Sequence, residues 1–195
     1  MGTSYGLFVL QALGVAVAVA FALALWIVLR RAGRLVAETR RIDSFRHAIE
    51  DLALRAGTSI DGVTARIDAV RRQTLPPEAL AENLTAATDA VERYAEEAES
   101  LRGPRGSTDI RDPIVAELRR AGRAIEMVEH GRSILTSARV GGRELEAQTS
   151  IKRGYLNLIH AREAIARHAA RAVDLEVSED VRWFQRREPG SDHRI

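Results

Sequence analysis

The sequence predicts an all-α chain: one N-terminal transmembrane helix, then an up-down antiparallel bundle or coiled coil of four to five helices. Three observations carry that expectation. Residues 7–29 are 23 consecutive positions without a charge. Beyond them, apolar residues recur at alternating steps of three and four, the spacing that keeps one helical face buried. No stretch alternates with period two over a useful length, so strands are not expected.

The apolar run comes first. A helix rises about 1.5 Å per residue, so the run reaches roughly 34 Å against a hydrocarbon core of about 30 Å. Fourteen of its 23 residues are Leu, Ile, Val or Phe. At roughly −0.4 kcal/mol each near the helix centre, they favour insertion by about 6 kcal/mol. Gln11 and Gly14 do not cancel that. A buried core helix is usually shorter and carries polar residues. A signal peptide needs a basic leader and an apolar stretch of about 7–15 residues. Residues 1–6 contain neither Lys nor Arg, and Gly6 stands where a myristoylation signal wants Ser or Thr.

Charge then orients the span. No charge precedes it, whereas Arg30, Arg31 and Arg34 follow at once, with Arg40 and Arg41 beyond. The positive-inside rule places that end in the cytoplasm. Residues 1–6 become a short outer tail, 7–29 the span, and 30–175 a cytoplasmic bundle in the inner cell membrane. Trp26 falls near the inner boundary and Tyr5 near the outer one, where amphipathic rings prefer to lie. Trp26, Arg30, Arg31 and Arg34 are therefore the expected membrane-interface residues, with the arginines also able to grip anionic lipid. Gly14, Ala18 and Ala22 form a small-residue stripe that suits close approach of a second span.

Composition bounds the rest. The chain has no cysteine, which removes disulfides, zinc-thiolate sites and thiol nucleophiles. Net charge is +2 but uneven: residues 78–101 hold one basic and seven acidic side chains, and residues 30–72 hold ten basic and six acidic. One acidic segment among basic ones suits a self-complementary bundle. A nucleic-acid binder would gather its excess on one face, so nucleic acid is not an expected partner.

In the first bundle segment, Ile42, Phe45, Ile49, Leu52 and Ala56 make a seam on a charged rod. Gly57 followed by Thr58 and Asp61 has the look of a stop and a capped restart, so helices are expected at 30–56 and 59–74. The seam nevertheless continues almost in phase through Ile60, Val63, Ile67 and Val70, which leaves a kinked single rod as the other option. Pro76 and Pro77 end this segment and open a helix over 77–101. Leu80, Leu84, Ala87, Val91, Tyr94, Ala98 and Leu101 are its seam, and its outer face is acidic. A loop at 103–107 leads to Asp112 and Pro113 as cap and first residue of a helix over 113–139. Ile114, Leu118, Ala121, Ile125, Val128 and Leu135 line it. Gly141 and Gly142 break the chain before a last helix at 143–175, which carries Ile151, Tyr155, Leu158, Ile165, Ala169 and Ala172. So many seam positions are Ala that the core should be thin and stability should lean on self-association.

Chemistry is sparse. Glu126 with His130, and His160 with Glu163, put carboxylate and imidazole on helical faces, which is how bundle metal sites are made. The di-iron pattern needs Glu-x-x-His twice, and the chain has none. In a hairpin turning at Gly141–Gly142 with His130 opposite Arg153 and His160 opposite Arg123, the two histidines stand roughly 10 Å apart along the axis. Gly154, in mid-helix beside Tyr155, costs about 1 kcal/mol relative to Ala and reads as a helix crossing point, with Gly122 and Gly131 as its counterparts. No nucleotide-loop, nucleophile-elbow or zinc-protease motif occurs. No catalytic residue, cofactor or metal is expected.

The last stretch, 176–195, holds a short amphipathic piece. Val177, Val181 and Phe184 share a face, with Trp183 beside arginines. The piece is expected to fold back on the bundle, with docking to a partner or to the membrane as the alternatives, for which these four residues are the candidate contacts. The functional expectation is a non-enzymatic, membrane-anchored helical bundle acting as a structural, scaffolding or adaptor element. The alternative is a signalling or lipid-sensing bundle relaying to a partner protein. Its partners would be the lipid bilayer and either a second copy or another membrane or cytoplasmic protein.

Overall fold

The computed structural model describes residues 3–137 and 142–175, and their side chains except at 3–20, 24, 28, 34 and 35. The chain divides into two compact units, Met1–Arg41 with Val177–Ile195, and Ile42–Glu176. Within the described residues every regular element is helical. Helix α1 spans Thr3–Arg71. A 3-10 turn at Pro77–Leu80 precedes α2, Ala81–Ser100. Helix α3 spans Thr108–Thr136, and α4 spans Glu144–Ala170 before a closing 3-10 turn at Arg171–Asp174.

The unit Ile42–Glu176 is an up-down four-helix bundle. Its antiparallel order shows in the cross-links, where residue numbers rise on one helix as they fall on its neighbour. Arg55 pairs with Glu97 and Ser59 with Tyr94 between α1 and α2. Arg119 pairs with Glu99 between α2 and α3. Ser150 donates to the Met127 carbonyl between α3 and α4. Arg162 pairs with Asp61, and Arg46 reaches Ala172, closing α4 onto α1. Each short link forces its two helices to run opposite ways.

The expected seams face the core. Ile42, Phe45, Ile49, Leu52, Ala56, Ile60, Val63, Ile67 and Val70 are all buried on α1. Leu80, Leu84, Val91, Ile114, Leu118, Ile125, Leu158 and Ile165 fill the centre, at about 1.5–3 kcal/mol for each fully buried aliphatic side chain. Between them lie buried alanines such as Ala98, Ala121, Ala161 and Ala172, so the helices approach closely and the core is narrow.

Several boundaries differ from the sequence expectation. The helix does not stop at Gly57: α1 runs through it to Arg71. Thr58 caps nothing, because its hydroxyl donates to the Leu54 carbonyl one turn back, as in a helix interior. Glycine permits a break without imposing one. Burying Ala56 and Ile60 in a single continuous seam outweighs its cost of about 1 kcal/mol. The helix ends three residues before the expected 74. There Gln73 takes a left-handed backbone, φ 61°, while its N–H and that of Thr74 bond back to Val70 and Ala69. This is the double closure of a Schellman end, with Gln in the place glycine usually holds.

Helix α3 begins at Thr108, five residues before the expected start, so Pro113 lies inside it. Its first turn is held by i→i−3 bonds from Asp109 to Gly106 and from Ile110 to Ser107. Starting a turn early buries Ile110. Pro113 lies in the second turn and cannot donate the ladder hydrogen bond to the Asp109 carbonyl. Pro77 opens a 3-10 turn rather than a regular helix, with α2 following directly. Gly142 has φ 85°, as a turn between α3 and α4 requires. Gly141 and the expected helical residues 138 and 139 lie outside the described residues, as does the whole stretch from 176.

Candidate functional site

Two regions merit description as sites: the apolar-to-basic passage of α1, and the clefts of the bundle. In the first, the side chains of Phe21, Leu23, Leu25, Trp26, Ile27 and Leu29 are each at least half exposed, from 50% to 71%. At about 100° per residue these six spread over about two thirds of the helix circumference. The Arg30 guanidinium lies 5.0 Å from the centre of the Trp26 ring, a cation–π contact between two of the expected interface residues. Arg31 is exposed on the next position, and the Arg34 side chain is outside the described set. Val177, Val181, Trp183 and Phe184 also lie outside the described residues. Among the described residues no helix is long and apolar enough to cross a membrane. Fourteen positions of the apolar run, residues 7–20, are not among the described side chains.

A cleft of about 860 Å³ opens beside the turn after α1. Gln73, Leu75, Pro76, Leu135, Gln148 and Lys152 line it, and the Arg71 guanidinium at its edge covers Tyr155 at 4.6 Å. Among the described residues that line it there is no carboxylate, imidazole or thiol. A second cleft, about 580 Å³, runs between α3 and α4 and is lined by Arg120, Arg123, Glu126, His130, Ser150 and Asn157 among others. Here His130 stands 3.7 Å from Glu146, not opposite Arg153 as the expected register had it. Helices α3 and α4 are offset because glycine contacts set their alignment. A Cβ on Gly154 would lie 2.6 Å from the Ala124 carbonyl, and one on Gly131 would lie 2.7 Å from the Ala147 carbonyl. These two glycines are crossing points; Gly122 is not, since a Cβ there meets nothing within 4 Å. Among the described residues no three His, Cys, Asp or Glu side chains gather as a metal site would need.

Perturbed ionisations belong to surface ion pairs. Arg55 donates to both oxygens of Glu97, at 3.1 and 2.6 Å, and to Asp51 at 2.8 Å. The Glu97 bond leads in pushing its guanidinium above the ordinary arginine range. Arg132 holds the Glu129 carboxyl below the usual carboxylate range, and Arg143 does the same for Glu146. Each pair joins neighbouring turns or neighbouring helices, and Glu129 also lines a cleft of about 350 Å³ with Leu84, Glu126 and His130.

Sequence reasoning passed over Arg46. Its guanidinium donates to the carbonyls of Ala172, at 3.0 Å, Val173, at 2.8 Å, and Leu175, so it caps the end of α4 from α1. No local signal marks an arginine whose acceptors lie over 120 residues away. The class of protein defined by this architecture is an antiparallel helical bundle with an apolar-to-basic helix at its N-terminal side. No protein family, no curated protein and no solved structure matches the chain.

Proposed function

We propose that the chain is a single-pass membrane protein of the inner cell membrane, anchored by residues 7–29, with its N-terminus outside and its bundle in the cytoplasm. It acts without catalysis, as a structural, scaffolding or adaptor element. The observation that carries the reading is the broad exposed apolar surface at 21–29, followed at once by Arg30 and Arg31, with Arg30 over Trp26. An exposed apolar surface of that kind is costly in water and stabilising in lipid. The non-catalytic part rests on the sequence, which holds no nucleotide-loop, nucleophile-elbow or zinc-protease motif. A relay role is favoured by one feature only: a single helix, α1, carries both the apolar run and the first seam of the bundle.

The absence of native cysteine makes the topology simple to test. Thr3→Cys and Ser191→Cys variants are expressed and cells are fractionated. The protein is expected in membranes after alkaline carbonate washing. An impermeant maleimide should label Thr3→Cys on intact cells and Ser191→Cys only after lysis. Recovery from the soluble fraction, or labelling of Ser191→Cys on intact cells, overturns the reading.

A further inference from the structure

The exposed face between α1 and α4 carries a groove of about 400 Å³. Its walls are small residues, Ala53 and Gly57 on α1 and Ala166, Ala169 and Ala170 on α4. Gly57 leaves open space, because a Cβ there meets nothing within 4 Å. On the α1 lip Leu54 is 70% exposed beside this hollow, a large apolar side chain next to a cavity of leucine-accepting chemistry. Knob and hole therefore occur on the same face of one chain, which is the requirement of a self-complementary, two-fold contact.

Charge selects the arrangement. The α1 lip bears Glu50 and Asp61, and the α4 lip bears Arg162. Arg162 and Asp61 already pair within one chain, at 2.7 Å, and so mark which levels of the two helices coincide. A two-fold axis perpendicular to the helices would lay α1 on α1 and α4 on α4, setting like charges opposite one another. A two-fold axis parallel to the helices lays α1 of each copy along α4 of the other. Leu54 then enters the Ala166–Ala170 hollow of the other copy, and two Asp61–Arg162 pairs meet near the same level.

We infer that the α1–α4 groove is the interface of a parallel homodimer, with Leu54 of each copy seated in the alanine-lined hollow of the other. The narrow, alanine-rich core of the bundle is a reason for it, since a thin domain gains most from added apolar burial. In this dimer α1 runs the same way in both copies, as two chains anchored in one bilayer require. The interface itself uses bundle residues alone and does not rest on the membrane reading.

The test uses the full chain, in mild detergent and again in buffer if it dissolves there. Single-cysteine Leu54→Cys and Ala170→Cys chains are mixed and oxidised. The mixed Leu54–Ala170 disulfide should dominate over either like-with-like product, since only neighbours within about 7 Å between Cα atoms can bridge. Sedimentation should show a dimer whose dissociation constant rises at least about tenfold in Leu54→Glu. Circular dichroism and melting should stay unchanged, because the side chain is exposed in a single chain. A monomeric wild-type chain overturns the inference. So does a dimer that survives Leu54→Glu, as one held by the N-terminal apolar helix would, or a predominance of Leu54–Leu54 disulfide. The membrane reading is judged separately, by fractionation and labelling.

Discussion

Gly57 and Gly154 both lie inside long helices of one bundle, and their surroundings are opposite. At Gly154, helix α4 comes so near α3 that a methyl group would stand 2.6 Å from both the Ala124 carbonyl oxygen and a Val128 methyl. At Gly57, helix α1 turns a bare backbone toward an open groove, with nothing within 4 Å of an added carbon. The same residue type is a packing requirement in one place and only a helix-propensity cost in the other. The difference locates where the bundle is tightest, at the α3–α4 crossing, and where it offers a surface, at the α1–α4 groove.

The comparison can be broken by mutation. The largest expected effect is at Leu158, one turn beyond Gly154 and fully buried. Leu158→Ala should cost about 3 kcal/mol in denaturant unfolding, by lost burial and a cavity at the tight crossing. Leu145→Ala on the same helix, where the side chain is 76% exposed, should stay within about 0.5 kcal/mol. If the two cost the same, the tight-versus-open contrast has no energetic content.

Next, Gly154→Ala should lose about 2 kcal/mol, since α3 and α4 must separate to admit one methyl, and this exceeds the gain of about 1 kcal/mol in helix propensity. The matching change Gly57→Ala should stabilise by up to about 1 kcal/mol, because only the propensity term operates there. Differential scanning calorimetry on both variants checks the opposite signs. A loss at Gly57 would mean that α1 breaks there in solution.

The smallest effect sharpens the role of the surface. Arg132 donates to Glu129 at 2.7 Å within α3 and lowers the carboxyl's pKa in the folded chain. A depressed carboxylate pKa contributes stability that is present above the unfolded value near about 4.3 and lost as pH falls through the folded value. The pair is partly exposed, so its contribution should be below about 1 kcal/mol. Unfolding followed from about pH 5 down to about pH 3 should show a shallower loss in Arg132→Met than in the wild type.

The buried faces were legible from the chain because a helix repeats at a known period. Leu84, Ala87, Val91 and Ala98 on α2, or Ile114, Leu118, Ala121 and Ile125 on α3, need no tertiary knowledge to be aligned. The roles of the glycines were only half legible. Gly131 and Gly154 met the expectation of a crossing, while Gly122 and Gly57 did not, because what a glycine does depends on atoms far away in sequence. The start of α3 was misplaced for a related reason: the Asp112–Pro113 signal is local, and burial of Ile110 is not. Among the residues expected at a membrane interface, the Trp26–Arg30 contact follows from their i, i+4 spacing. The Leu54 groove had no such sign, since Leu54 falls off the core seam and its surroundings come from α4.

By itself, the sequence determined the helical class, the faces that turn inward, and an uncharged run followed by arginines, because each is a matter of periodicity or of charge along one helix. The tertiary structure alone decided the continuity of α1 through Gly57, the offset of α3 against α4, the capping of α4 by Arg46 and the hollow beside Leu54. Those depend on which atoms meet across helices, and the free energy of such contacts is set by distances that spacing along a single helix does not contain.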